Sequence, residues 1–163
     1  MIIPIIRQGE KVYSNFGYAH VLQEKINGFP YLANRLKDNL EIKIKLTTIL
    51  GIMANSEVLK YRTNGTKGYK TSKFGDGDSI LERVKGIKML KRIAKDNDVT
   101  LFKLNGKNSP FKDALFFVNM KRYRESLFRK GIWKAEDDSS TTDYIQYLLF
   151  IQNSKSNRPF PEN

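Results

Sequence analysis

The stretch Tyr144-Ile145-Gln146-Tyr147-Leu148-Leu149-Phe150-Ile151 carries no charge and a single amide among apolar and aromatic side chains, so any fold of this chain must bury it. Ser140, with Asp143 three residues later, places a helix-capping signal directly ahead of the run. Together they predict a buried final helix, apolar on most sides.

The same cap-then-period logic predicts two longer helices. Ser79 and Glu82 form a capping-box signature, and Ile80, Leu81, Val84, Ile87, Leu90 and Ile93 repeat at helical spacing, so a helix is expected over 79–95. Ser109-Pro110 opens another in cap-then-proline order, running through Leu115, Phe116 and Leu127 to a stop at Gly131. Shorter helices are expected over 17–26, 30–37 and 47–61. Strand signals are fewer. Leu40-Glu41-Ile42-Lys43-Ile44-Lys45-Leu46 alternates strictly, Val99 to Leu104 is rich in β-branched and aromatic residues and closes on Asn105-Gly106, and Ile2 to Ile6 is a short edge strand limited by Pro4. The expected fold is therefore α+β and helix-rich, a small sheet with strands near 2–6, 40–46 and 99–104 packed by four to six helices; a mainly α architecture is the alternative.

A chain of 163 residues with 40% hydrophobic side chains can build one sizeable core, whereas two would be cramped. Residues 1–153 are expected to form one domain. The glycine- and lysine-rich segment 64–78 reads as a long loop or hinge, and 154–163, with Pro159 and Pro161, as a flexible tail. The apolar start is broken by Pro4 and followed at once by Arg7, too short for a signal peptide, so a cytoplasmic location is expected. Abundant Asn, Lys and Ile fit an AT-rich genome such as those of many phages.

Lys and Arg number 29 against 17 Asp and Glu, a formal charge of +12. Such a surface attracts anionic partners: nucleic acid, with DNA favoured over RNA, or an acidic protein surface. No run is long enough to span a bilayer, and no membrane partner is expected. Three clusters could carry the contact. Lys60, Arg62, Lys67, Lys70 and Lys73 interleave with Tyr61, Tyr69 and Phe74, with no acidic residue between Glu57 and Asp76; cations neutralise phosphates while rings stack on bases. Arg83, Lys85, Lys88, Lys91, Arg92 and Lys95 form a basic face opposite the apolar stripe of the 79–95 helix. Within Phe111 to Ala135, a short helix, a turn at Asn119-Met120 and a helix from Lys121 would make a helix-turn-helix with Lys121, Arg122, Tyr123, Arg124 and Ser126 near a groove.

The inventory for catalysis is thin. With no cysteine, thiol nucleophiles, disulfides and Cys-ligated metals are excluded, and His20 is the sole histidine. No Gly-x-Ser-x-Gly elbow and no Gly-Lys-Thr phosphate loop occurs, and no cofactor is expected. Glu41-Ile42-Lys43 on an alternating strand matches the Glu-x-Lys element of restriction-type nucleases, in which a carboxylate holds a divalent metal. Glu57 followed by Tyr61, Gly65, Gly68, Thr71 and Gly75 is similar to the glutamate and glycine-rich hairpin of phage-type lysozymes; that resemblance implies a cell-wall glycosidase, although Asn64 or Thr66 stands where its aspartate belongs. The residues together point to a non-enzymatic nucleic-acid-binding protein, with an interaction protein docking on an acidic partner as the alternative and a nuclease or glycosidase as a further one.

Overall fold

The structure is a computed structural model that describes residues 11–39, 42, 45–62, 68–73, 82–94, 99–118, 120–122 and 131–156. Its centre is a three-stranded sheet in which the uncharged C-terminal run is the middle strand. The strands are β1 (Ile49–Ala54), β5 (Val99–Lys103) and β8 (Tyr147–Gln152), in the order β1-β8-β5. β1 runs parallel to β8 with Leu50 opposite Leu148 and Ile52 opposite Phe150, while β5 runs antiparallel with Leu101 opposite Leu149. Alternation along β8 buries Leu148, Phe150 and Gln152, and the same face of β1 buries Leu50, Ile52 and Ala54. Burying side chains of this size contributes roughly 1.5–3 kcal/mol each. The opposite face is also apolar: Ile49, Val99 and Leu101 are exposed, beside half-buried Leu149 and Ile151.

Around this sheet lie short elements. β2 (Glu57–Tyr61) and β3 (Tyr69–Lys73) form a hairpin, and β4 (Glu82–Val84), β6 (Met120–Arg122) and β7 (Gly131–Trp133) form a second three-stranded sheet in the order β4-β6-β7. Among the described residues the α-helices with defined bounds are α1 (Leu32–Lys37), α2 (Ile87–Ile93) and α3 (Thr141–Tyr144), with 3₁₀ turns at Tyr18–Val21 and Pro110–Lys112. The N-terminal end of α2 lies near α3, because Phe117 N–H donates to the Lys85 carbonyl (2.8 Å) and Phe116 N–H to Thr141 Oγ1 (2.8 Å). Its C-terminal end meets the end of β8, where Gln152 Nε2 donates to the Ala94 carbonyl (3.4 Å). α2 therefore travels along the sheet in the direction of β8, and Ile87 and Leu90 enter the core.

The expected helix-rich fold is overturned: more of the described chain is strand than helix, and among the described residues no α-helix exceeds seven residues. The final apolar run is a central strand, since a short uncharged run buried by neighbours on both edges serves a sheet as well as a helix. The Ser140–Asp143 capping box does form, with Ser140 N–H donating to Asp143 Oδ2 (2.7 Å), but it caps a single turn. The 79–95 helix is shortened to α2, residues 82–84 pairing as β4 instead. Where the expected 109–131 helix, and with it the helix-turn-helix, is described, it is replaced by a 3₁₀ turn at Pro110–Lys112 and by the antiparallel strands β6 and β7, so Lys121 and Arg122 stand on a strand; 119 and 123–130, with Tyr123, Arg124 and Ser126, lie outside the described residues. The 47–61 helix is β1 and β2. In the segment 40–46 Ile42 is helical and buried, with its N–H on the Asn39 carbonyl and its carbonyl accepting from Lys45 N–H, so local turns displace the strand there. The expected strand at 2–6 lies outside the described residues, whereas the strand from Val99 and the helix within 30–37 are present.

Both parallel strands leave the sheet by the same device. Asn55 and Asn153, neighbours in register beyond Ala54 and Gln152, take left-handed backbone at φ 49 and 56, as short amide side chains tolerate. Asn153 N–H donates to the Ala54 carbonyl (3.0 Å) and Glu57 N–H to the Ser154 carbonyl (2.8 Å), so Ser154 runs beside the base of the β2–β3 hairpin.

At the other end of the sheet a buried polar network holds the N-terminal segment. Gln146 Oε1 accepts from Gln23 Nε2 (2.8 Å) and Thr48 N–H (3.0 Å), and Asn34 Nδ2 donates to the Gln23 carbonyl (3.0 Å). Since unsatisfied buried amides cost about 1–3 kcal/mol each, this network fixes α1 against the starts of β1 and β8.

Candidate nucleic-acid interface

Pairing of β2 with β3 sets Lys60 and Lys70 on one face of the hairpin and Tyr61 and Tyr69 on the other. Lys60 stands opposite Lys70 and Tyr61 opposite Tyr69. Because successive strand residues point to opposite sides, both lysines share one face, continued by Arg62, whose N–H donates to the Gly68 carbonyl (2.9 Å), and both tyrosines share the other. The tyrosine rings meet edge to face at 5.4 Å and are exposed. Lys73, in register with Glu57, falls on the same side as the tyrosines, so the Lys60–Lys70 pair is set apart from the rings while Lys73 shares their face.

Directly opposite side chains have Cβ atoms about 5 Å apart, and like charges there are unfavourable. Lys60, Arg62 and Lys70 are all exposed, and among the described residues no carboxylate pairs with them. Lys73 is exposed at the hairpin base and stands opposite Glu57, whose carboxylate also approaches Lys155 Nζ at 3.7 Å. Glu57 therefore sits among cations at the start of β2.

The second basic group adjoins the first. On α2, Lys88 and Arg92 are one helical turn apart and exposed, while Lys91 Nζ donates to Asn55 Oδ1 (3.3 Å) at the bend that leads into β2. Lys85, in the turn before α2, lies 5.3 Å from the centroid of the Phe116 ring, a cation–π contact that orients it. Gly86 permits that turn with φ 99. No carboxylate among the described residues pairs with Lys85, Lys88 or Arg92.

The third cluster changes character. Lys121 and Arg122 lie on β6, where Lys121 is in register with Arg83 of β4 and Arg122 with Glu82. β4 continues through Lys85 into α2. Lys67 and Arg124 fall outside the described residues, as do Glu41 and Lys43 of the Glu-x-Lys element.

One feature escaped the sequence reading. Asn27 and Gly28, at φ 53 and 75, make a two-residue turn between the bridged residues Ile26 and Phe29. Asn-Gly is a strong hairpin signal and would have revealed it. The turn presents Phe29 beside Tyr31 (5.1 Å between ring centroids), and Tyr31 meets His20 at 5.6 Å. With Phe16 and Arg35 these rings border an open groove of about 380 Å³.

Among the described residues no three His, Asp or Glu side chains cluster as a metal site, and no helix is long and apolar enough to cross a membrane. No protein-family model, no curated protein and no solved structure matches the chain.

Proposed function

We propose that this protein binds nucleic acid through the basic series formed by the β2–β3 hairpin and α2, without catalysing a reaction on it. The observation that carries the reading is the cross-strand pair Lys60–Lys70, exposed, continued by Arg62 and free of a carboxylate partner among the described residues. Such a pair is unfavourable alone and becomes favourable when a phosphate lies between the two ammonium groups. Lys88 and Arg92 extend the positive field toward β4 and β6, and the net charge of +12 supplies the long-range attraction.

The test is a titration of labelled duplex DNA, single-stranded DNA and RNA, followed by fluorescence anisotropy at about 50 mM salt, where several phosphate contacts give measurable affinity. Binding that weakens on replacing Lys60 and Lys70 with glutamate supports the reading. Absence of binding to all three at low salt overturns it and directs attention to an acidic protein surface as the partner.

A further inference from the structure

We infer that the aromatic groove at the start of the sheet is a stacking site for an unpaired nucleobase, so that the protein prefers single-stranded nucleic acid over duplex. This rests on the nucleic-acid reading but uses a different part of the molecule. The Asn27-Gly28 turn holds Phe29 outward, 54% exposed, and Phe16 is 42% exposed across the groove. Large apolar rings left in water at this level, and gathered around one concavity, mark a binding surface. The groove, about 380 Å³, is near the lower end of the range for small-molecule sites and suits a planar group.

The occupant is set by charge as well as shape. Arg35 and His20 border the groove, both exposed, and its described lining includes no carboxylate. An apolar ligand would leave the guanidinium unused, and a cationic ligand would be repelled. A base carrying a phosphate satisfies both surfaces, with its ring stacked on Phe16 or Phe29 and its phosphate beside Arg35. In a duplex each base is already stacked between its neighbours, so the groove can receive one only from a single strand or after the base is flipped out.

The backbone supports the rings independently of any ligand. Asn34 Nδ2 ties α1 to the Gln23 carbonyl, Lys37 pairs with Glu24, and Lys134 N–H donates to Asn27 Oδ1 (2.8 Å), which braces the turn beneath Phe29. Because Phe16 and Phe29 lie at the surface, their replacement leaves the core intact.

The experiment compares a labelled oligothymidylate with a duplex of equal length for the full-length protein and its Phe29→Ala, Phe16→Ala and Phe29→Trp variants, with circular dichroism to verify folding. Loss of one stacking ring should weaken single-strand binding about five- to a hundred-fold, while duplex binding changes less than about twofold and Phe29→Trp restores the single-strand affinity. Equal effects of Phe29→Ala on both substrates, or none on either, overturn the groove assignment while leaving the lysine hairpin standing. Failure of the unmodified protein to bind either substrate removes both readings.

Discussion

Among the described glycines, Gly86 leaves least room for a side chain. Its φ of 99 lies where side chains are disfavoured, and a Cβ there would come within 2.8 Å of Phe117 Cε1 and 3.0 Å of Phe116 Cδ1. Phe117 is itself buried at φ 63, in a turn closed by Val118 N–H on the Phe116 carbonyl (2.8 Å), and the hydroxyl of Tyr18 donates to its carbonyl. Gly86→Ala should therefore lower unfolding stability by about 2–4 kcal/mol, combining left-handed strain with overpacking, as read from urea denaturation. A loss below about 0.5 kcal/mol would mean that the two phenylalanines do not press on this turn. Two tyrosines set a pH limit as well. Tyr18 is half-buried overall, but its hydroxyl end is enclosed, and burial drives its pKa well above the ordinary range; burial also raises that of Tyr144, whose hydroxyl accepts from Glu136 N–H (2.8 Å) and donates to the Lys25 carbonyl (3.1 Å). Unfolded tyrosines ionise near pH 10. Above about that pH the unfolded state binds fewer protons than the folded one, so stability should fall as pH rises, with its full value retained below. Denaturation midpoints at pH 8 and about 10.5 measure the fall, and Tyr18→Phe should reduce it.

The β2–β3 hairpin is the element whose stability and function pull in opposite directions. Replacing Lys70 by glutamate creates an opposite-charge pair with Lys60 and should stabilise the fold by about 0.2–1 kcal/mol, while weakening nucleic-acid binding. Equal and parallel losses in melting temperature and affinity would contradict that assignment. The hairpin also shows how far element-level reading carries. Its basic composition was visible in the sequence, but the glycine-rich segment was read as a loop because β3 lacks an apolar alternation: Tyr69, Lys70, Thr71 and Lys73 are all exposed. β5 was legible from its β-branched and aromatic residues, as was the capping box at Ser140. β8 was not, since Leu148, Leu149, Phe150 and Ile151 show no period, and the choice between strand and helix is made by β1 and β5, distant in sequence. The alternation at 40–46 misled for the complementary reason: Ile42 is buried from a helical turn, and alternation alone does not require a sheet partner. The periodicity of 79–95 puts Lys85, Lys88 and Arg92 on one long helix, which the pairing of Arg83 with Lys121 cuts short.

At the scale of the whole molecule, the aromatic groove and the lysine hairpin lie at opposite ends of the central sheet. The central sheet runs from the aromatic groove and α1 at the starts of β1 and β8 to the basic hairpin at their ends, with α2 alongside. A polyanion held on Lys60, Arg62, Lys70, Lys88 and Arg92 displaces condensed counterions, so affinity must depend on salt in proportion to the number of phosphates neutralised. The most direct test is the slope of log Kd against log salt for duplex DNA, measured for the unmodified protein and for the Lys60→Ala/Lys70→Ala double variant. Binding is expected to be at least tenfold weaker at about 200 mM than at about 50 mM salt, with a slope smaller by about 1.8 in the double variant, because two phosphate contacts are lost. Salt-independent binding, or a double variant with an unchanged slope, would contradict the assignment of the lysine hairpin as the phosphate-contacting surface.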